Sequence, residues 1–61
     1  MPEVTIELIV GRTIEQKRGL VKDITEAFVK NVGAKPEAVT INIIEITREN
    51  KAHGGKLFSD M

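Results

Sequence analysis

The first twelve residues, MPEVTIELIVGR from Met1 to Arg12, decide how the rest of the chain is organised. Apolar and polar side chains alternate through this stretch, which is the pattern of a β-strand that buries one of its faces. The apolar set is Val4, Ile6, Leu8 and Val10, and the polar set is Glu3, Thr5 and Glu7. We expect the strand to end at Gly11, so that Arg12 lies at its carboxyl end, where α/β proteins commonly bind ligands.

Pro2 is a candidate catalytic residue because it follows the initiator methionine. Aminopeptidases usually remove that methionine when the next residue is small. The mature chain would then begin with a proline, whose free nitrogen is a secondary amine. A free α-amino group titrates near pH ~8. Burial and a neighbouring cation would lower its pKa towards neutrality. Pro2 is therefore a candidate general base.

The overall composition restricts the class of protein. With 61 residues the chain forms one domain, which we expect to span residues 1–61 and to lie near the lower size limit for a self-sufficient core. Nine acidic and nine basic residues cancel, and Trp and Tyr are absent, so neither a nucleic acid nor a membrane is an expected partner. No apolar run approaches the ~20 residues of a membrane span. No secretory signal is recognisable, and we expect a cytoplasmic protein.

The middle of the chain predicts a helix followed by a second strand. Residues 13–16 fit a capping box, and apolar residues then recur at three- and four-residue spacing up to Gly33, a helix C-cap. Residues 34–38 form a short connection, in which Pro36 suits a tight turn or a single helical turn. A strand rich in β-branched residues is predicted over Val39 to Ile46. Strand, helix and strand in this order imply a parallel pair.

The remaining residues predict oligomerisation. One helix can cover only one face of a two-stranded sheet, and the second strand places Ile44 and Ile46 on the other face. After the Gly54-Gly55 turn, residues 56–58 form either a short strand or an arm with two more apolar side chains. Such apolar surface on a small protein, with open strand edges, indicates burial against other copies. The predicted fold class is α/β: a single βαβ unit with a C-terminal arm or hairpin, completed by oligomerisation.

Features along the whole chain together resemble the 4-oxalocrotonate tautomerase family. They are Pro2, the alternating first strand, Gly11-Arg12, the run Thr13-Ile14-Glu15-Gln16-Lys17, the βαβ order and Gly54-Gly55. The resemblance implies a small βαβ protomer assembled as a hexamer, with keto–enol tautomerase activity on an enol or dienol 2-keto acid and without a cofactor. It also implies that Pro2 is the catalytic base, that Arg12 of a neighbouring chain binds a substrate carboxylate, and that the Ile9 backbone lies beside the substrate.

Two pocket positions depart from the family pattern. Thr40 stands where better-known members have a second arginine, and Lys51 stands where they have an aromatic residue in the pocket wall. Loss of the arginine removes a charge-assisted contact and an electrophilic stabiliser. Either Lys51 or Arg48 replaces part of that charge, or a different chain in a mixed oligomer supplies the arginine.

Two alternatives to a tautomerase remain open. Hydratase, dehalogenase or decarboxylase branches of the superfamily keep the amine but need a carboxylate that activates water, and no pattern singles out Glu3, Glu7 or Glu45. The other alternative is a non-catalytic subunit of a mixed oligomer, because a retained Met1 would make the Pro2 nitrogen a non-basic amide. No metal site is expected, since Cys is absent and the single histidine, His53, has no second ligand at metal-binding spacing.

Overall fold

A computed structural model describes residues 2–61 and contains a βαβ unit followed by a small hairpin. Its main elements are β1 (Glu3–Ile9), α1 (Ile14–Val32), β2 (Thr40–Ile46), β3 (Ala52–His53) and β4 (Lys56–Leu57). Single 3-10 turns occupy Pro36–Ala38, Arg48–Asn50 and Phe58–Asp60. Met1, and with it the predicted removal of Met1, lies outside the described residues. The predicted βαβ architecture with a C-terminal hairpin is confirmed.

Strands β1 and β2 pair in parallel, as predicted, with Glu3 opposite Thr40 and Ile9 opposite Ile46. At one end of the pair the Thr40 N–H donates to the Pro2 carbonyl oxygen at 3.0 Å. At the other end the Val10 N–H donates to the Ile46 carbonyl oxygen at 3.0 Å. The predicted alternation is also present, because the apolar side chains of β1 are half-buried and its polar ones are exposed.

The strand boundaries differ from the prediction by one residue at two places. Val10 lies beyond β1 and its side chain is exposed, because the backbone bends there ahead of Gly11, which has a φ of 123°. Val39 lies before β2, since its N–H donates to the Pro36 carbonyl oxygen and closes the 3-10 turn. Of the two predicted conformations for this connection, the single helical turn is therefore the observed one.

Local signals define both ends of α1. The Gln16 N–H donates to the Thr13 hydroxyl at 3.1 Å, and the Thr13 N–H donates to the Gln16 side-chain oxygen at 2.8 Å, which is the predicted capping box. At the other end Gly33 adopts a left-handed conformation with a φ of 70°. Its N–H donates to the Val29 carbonyl oxygen at 3.2 Å, which ends the helix.

The isolated protomer has no fully buried side chain among residues 2–61. The helix and sheet leave apolar side chains half-covered, and Ile44, on the sheet face opposite α1, remains 47% exposed. The predicted apolar stripe of α1 is also uncovered at its ends, where Ile14 and Val32 are exposed. This lack of a closed core agrees with the burial argument for oligomerisation. Within residues 2–61, no helix is long and apolar enough to cross a membrane.

Candidate active site

The candidate site residues divide between the two ends of the parallel sheet. Pro2 precedes β1 and Thr40 begins β2, so both lie at the amino ends of the strands. The hydrogen bond from the Thr40 N–H to the Pro2 carbonyl oxygen joins them directly. Because this bond extends the ladder of the sheet, it fixes the Pro2 carbonyl at the start of β1.

Ile9, Arg12 and Lys51 lie at the opposite end. Ile9 is the last residue of β1, and Arg12 follows it by three positions. Lys51 comes directly after the Arg48–Asn50 turn that follows β2. Since the carboxyl ends of parallel strands meet at one edge of a sheet, these residues share that edge. Each protomer therefore carries one set of candidate residues at the amino ends of its strands and a second set at the carboxyl ends.

The two sets are too far apart to meet around one small molecule within a protomer. Seven residue steps separate Pro2 from Ile9 along an extended strand, and at a rise of about 3.3 Å per residue this is about 23 Å. Arg12 lies at the Ile9 end of the strand, where it borders the same cavity as Leu8. A site that uses both Pro2 and Arg12 must therefore draw them from different chains.

Arg12 borders a cavity of about 270 Å³ between β1 and the first turns of α1. The other lining residues are Leu8, Gln16, Lys17 and Leu20. Within the cavity, the Gln16 side chain is engaged in the helix cap, and Lys17 forms an ion pair with Glu45 at 2.7 Å. Within residues 2–61, Arg12 forms no ion pair. The guanidinium of Arg12 is thus available to an anionic ligand.

A larger groove of about 530 Å³ lies elsewhere on α1, beside Val21, Val29 and Pro36. It contains none of the candidate site residues. Lys22, Glu26 and Lys30 also line this groove. We assign the candidate site to the smaller cavity, since it is the one of the two that a candidate site residue, Arg12, borders.

Lys51 packs against an aromatic ring of its own protomer. Its ammonium nitrogen lies 5.6 Å from the centre of the Phe58 ring, which is the distance of a cation–π contact. The Phe58 N–H also donates to the Lys51 carbonyl oxygen at 2.8 Å, so that the two residues are held together. An aromatic group is therefore present at this edge of the sheet although position 51 is a lysine.

The acidic residues considered for water activation differ in their surroundings. Glu3 and Glu7 are exposed on the polar side of β1. The Glu45 carboxylate is already engaged by Lys17. His53 is exposed in the β3–β4 hairpin, and no cluster of three or more possible metal-ligating side chains occurs among residues 2–61.

The Lys17–Glu45 contact is the feature of this region that the sequence interpretation missed. Two signals could have indicated it. Glu45 continues the alternation of Ile41 and Ile43, which places it on the helix-covered face of β2. Lys17 precedes Leu20 by three positions and Ile24 by seven, which places it on the apolar stripe of α1. Opposite charges on facing surfaces are expected to pair.

Comparison with known proteins identifies the family to which this chain belongs. A family model described as tautomerase enzyme matches residues 2–61. The chain therefore belongs to the tautomerase family.

Individual relatives agree with this assignment. A probable tautomerase of Bradyrhizobium diazoefficiens is 50% identical over 58 residues, which cover 95% of this chain and 87% of the relative. The 2-hydroxymuconate tautomerase of Bacillus subtilis is 44% identical over 61 residues, which cover 100% of this chain and 98% of the relative.

Solved structures share the fold. The crystal structure of YwhB, a homologue of 4-oxalocrotonate tautomerase, superposes with a TM-score of 0.93 at 43% identity and covers 98% of both chains. A heterohexamer 4-oxalocrotonate tautomerase from Chloroflexus aurantiacus has a TM-score of 0.91 at 23% identity, with 100% of this chain and 98% of that chain covered. The resemblance to 4-oxalocrotonate tautomerases inferred from the sequence is therefore confirmed.

Proposed function

We propose that the protein is a keto–enol tautomerase that acts on an enol or dienol 2-keto acid. In this proposal residues 1–61 act as one tautomerase-like domain. Pro2 is the general base and Arg12 of a neighbouring protomer binds the substrate carboxylate. The observation that carries the proposal is the position of Arg12, whose unpaired guanidinium borders a cavity in a member of the tautomerase family. The relatedness to a 2-hydroxymuconate tautomerase supports the choice of substrate class.

The chemistry requires a base and a fixed acid group. Once Met1 is removed, the neutral Pro2 nitrogen accepts the proton of the 2-hydroxyl group of the enol. The electron pair of the broken O–H bond forms the C2 carbonyl, and the displaced double-bond electrons take a proton back from the Pro2 ammonium at C3 or C5. No atom is gained or lost and no oxidation state changes overall.

The surroundings assist each part of this transfer. The hydrogen bond from Thr40 fixes the Pro2 carbonyl, which limits the positions that the adjacent nitrogen can take. The guanidinium of Arg12 can donate two parallel hydrogen bonds to a carboxylate, which fixes the orientation of the substrate. A positive charge beside the amine also disfavours its ammonium form, and it should lower the pKa of Pro2.

The proposal includes an oligomer. In an antiparallel pair of protomers related by a twofold axis, the residues at the amino ends of one chain's strands would lie beside those at the carboxyl ends of its partner's strands. Pro2 of one chain would then be near Arg12 of the other. The same association would cover apolar side chains such as Ile44 and Leu57, which the isolated protomer exposes. We propose a homo-oligomer, with the hexamer as the expected size from the family resemblance and a mixed oligomer as the alternative.

The positions of the acidic residues favour tautomerisation over the hydratase-like alternatives. Water activation needs a carboxylate in the site, and none of Glu3, Glu7 and Glu45 lines the cavity at Arg12. Proton transfer between oxygen and carbon has no such requirement. It needs only the amine and the cation.

The decisive test begins with the intact mass of the protein, which reports whether Met1 is present. With Met1 absent, we expect 2-hydroxymuconate and the enol of phenylpyruvate to lose their ultraviolet absorbance as they ketonise. Pro2→Ala leaves a primary amine of different basicity and geometry, and should lose most of the activity. Glu37→Ala, an exposed substitution in the connection before β2, is the matched control and should keep it. Equal rates for the Met-free protein and Pro2→Ala on several enol acids would favour a non-catalytic subunit.

A further inference from the structure

A carboxylate is paired with one of the residues that line the cavity bordered by Arg12. Leu8, which lines this cavity, pairs in register with Glu45 on β2. The Glu45 carboxylate oxygen is 2.7 Å from the ammonium nitrogen of Lys17, another residue of the cavity lining. The side chains of Lys17 and Glu45 are 22% and 38% exposed, so the ammonium is the more covered of the two groups.

This arrangement affects the availability of Arg12. A guanidinium prefers a carboxylate that it can engage with two parallel hydrogen bonds, and a carboxylate of its own protein competes with one from a ligand. In the structure the charge of Glu45 is compensated by Lys17, and Arg12 forms no ion pair among residues 2–61. Removing the ammonium of Lys17 would leave an uncompensated carboxylate on β2, opposite Leu8, which lines the cavity that Arg12 borders.

We infer that Lys17 is a positioning residue: by pairing with Glu45, it keeps the Arg12 guanidinium free for the carboxylate of the substrate. The inference rests on the proposed role of Arg12 as the carboxylate ligand. It adds that the specificity of Arg12 for an external acid depends on a second cation that does not itself bind the substrate. A purely structural alternative exists, in which the pair only fastens α1 to β2.

Four variants separate the two explanations through KM and kcat for 2-hydroxymuconate. Lys17→Met keeps the length of the side chain without its charge, and should raise KM about tenfold or more, because Arg12 is then diverted to Glu45. Glu45→Gln removes the competing charge, and should leave KM within about threefold of the parent value. The double variant should also return to within about threefold, because no carboxylate is left to capture Arg12. Lys17→Arg retains a cation and should behave as the parent.

The structural alternative predicts a different pattern. If the pair only fastens the helix to the sheet, either single substitution and the double variant should be impaired alike. Equal impairment of Lys17→Met and the double variant would overturn our inference, and so would an unchanged KM for Lys17→Met. Thermal unfolding of each variant shows whether it remains folded at the assay temperature.

A crystal structure of Lys17→Met tests the inference without any activity. We expect the guanidinium of Arg12 to lie within hydrogen-bonding distance of the Glu45 carboxylate in that variant. An Arg12 that keeps its parent conformation would overturn the inference. Failure of the proposed function would be recognised separately, because the parent protein would then show no ketonisation that depends on Pro2.

Discussion

The exposed Ile44 side chain allows the proposed association of protomers to be tested by a single substitution. Ile44 lies on the sheet face opposite α1, and 47% of its surface is uncovered in the protomer. Complete burial of an isoleucine contributes about 1.5–3 kcal/mol, so about 1 kcal/mol per copy remains to be gained when a partner covers it. In Ile44→Asp this gain is lost, and an unpaired carboxylate would have to be buried at a cost of several kcal/mol.

The lost contact and the buried charge should weaken the assembly. A loss of about 4 kcal/mol weakens association about a thousandfold. Glu7 pairs with Ile44 in register within the same chain, so an aspartate there would also place a like charge opposite Glu7 in the protomer itself. Ile44→Val removes one methylene from the same position and is the matched control, with an expected cost of about 1 kcal/mol or less.

Analytical ultracentrifugation at micromolar protein is the suitable assay. We expect the parent and Ile44→Val to sediment as a multiple of the 6.7 kDa protomer, and Ile44→Asp to sediment as smaller species or to unfold. A parent protein that is a folded monomer at this concentration would refute the reasoning. An Ile44→Asp variant that assembles as the parent does would show that this face stays in contact with solvent.

Three further outcomes can be measured on the same material. The rate of ketonisation should rise with pH through the pKa of the Pro2 amine, because only the neutral amine accepts a proton. That pKa should lie below the ~8 of a free α-amino group. A rate that does not change with pH would contradict an amine base. Arg12→Ala should raise KM and also lower kcat, because the guanidinium both holds the carboxylate and tunes the base; an unchanged KM would remove Arg12 from the site. Thr13→Ala breaks the capping box and should lower the free energy of unfolding by about 1 kcal/mol. Thermal or denaturant unfolding measures this change. An unchanged stability would show that other contacts hold the start of the helix.

Local patterns predicted most of the fold. Alternation in residues 3–9 predicted β1, and the run from Thr13 to Gln16 predicted the start of α1, because both signals arise from residues close together in the chain. The errors at Val10 and Val39 fall at strand ends. The backbone bends before Gly11 at the first of these, and it forms a 3-10 turn from Pro36 at the second. The alternation of apolar and polar residues indicates that a strand is present, but it does not show where a neighbouring turn ends that strand.

The candidate site was less accessible to sequence reasoning because its contacts join distant parts of the chain. Lys17 and Glu45 are separated by 28 positions, and their pairing depends on how α1 lies across the sheet. The contact of Lys51 with the Phe58 ring depends on the hairpin that returns the chain to that edge. Residue types and spacing could nominate Arg12 and Lys51 individually, but they could not indicate which side chains already have partners.

The separation of Pro2 from Arg12 leads to an experiment that tests assembly and mechanism together. If the two residues act on one substrate but come from different chains, Pro2→Ala and Arg12→Ala are defective in different halves of the same composite site. A mixed assembly of the two defective variants then contains sites that combine the intact Pro2 of one chain with the intact Arg12 of the other. With random exchange of protomers in a symmetric oligomer, roughly a quarter of the sites should be complete. Denaturing and refolding the variants together should thus restore about that fraction of the parent activity, whereas mixing without exchange should restore none. If both residues acted within one chain, no mixture could produce a complete site, and the absence of recovery from a demonstrably mixed oligomer would contradict the two-chain site.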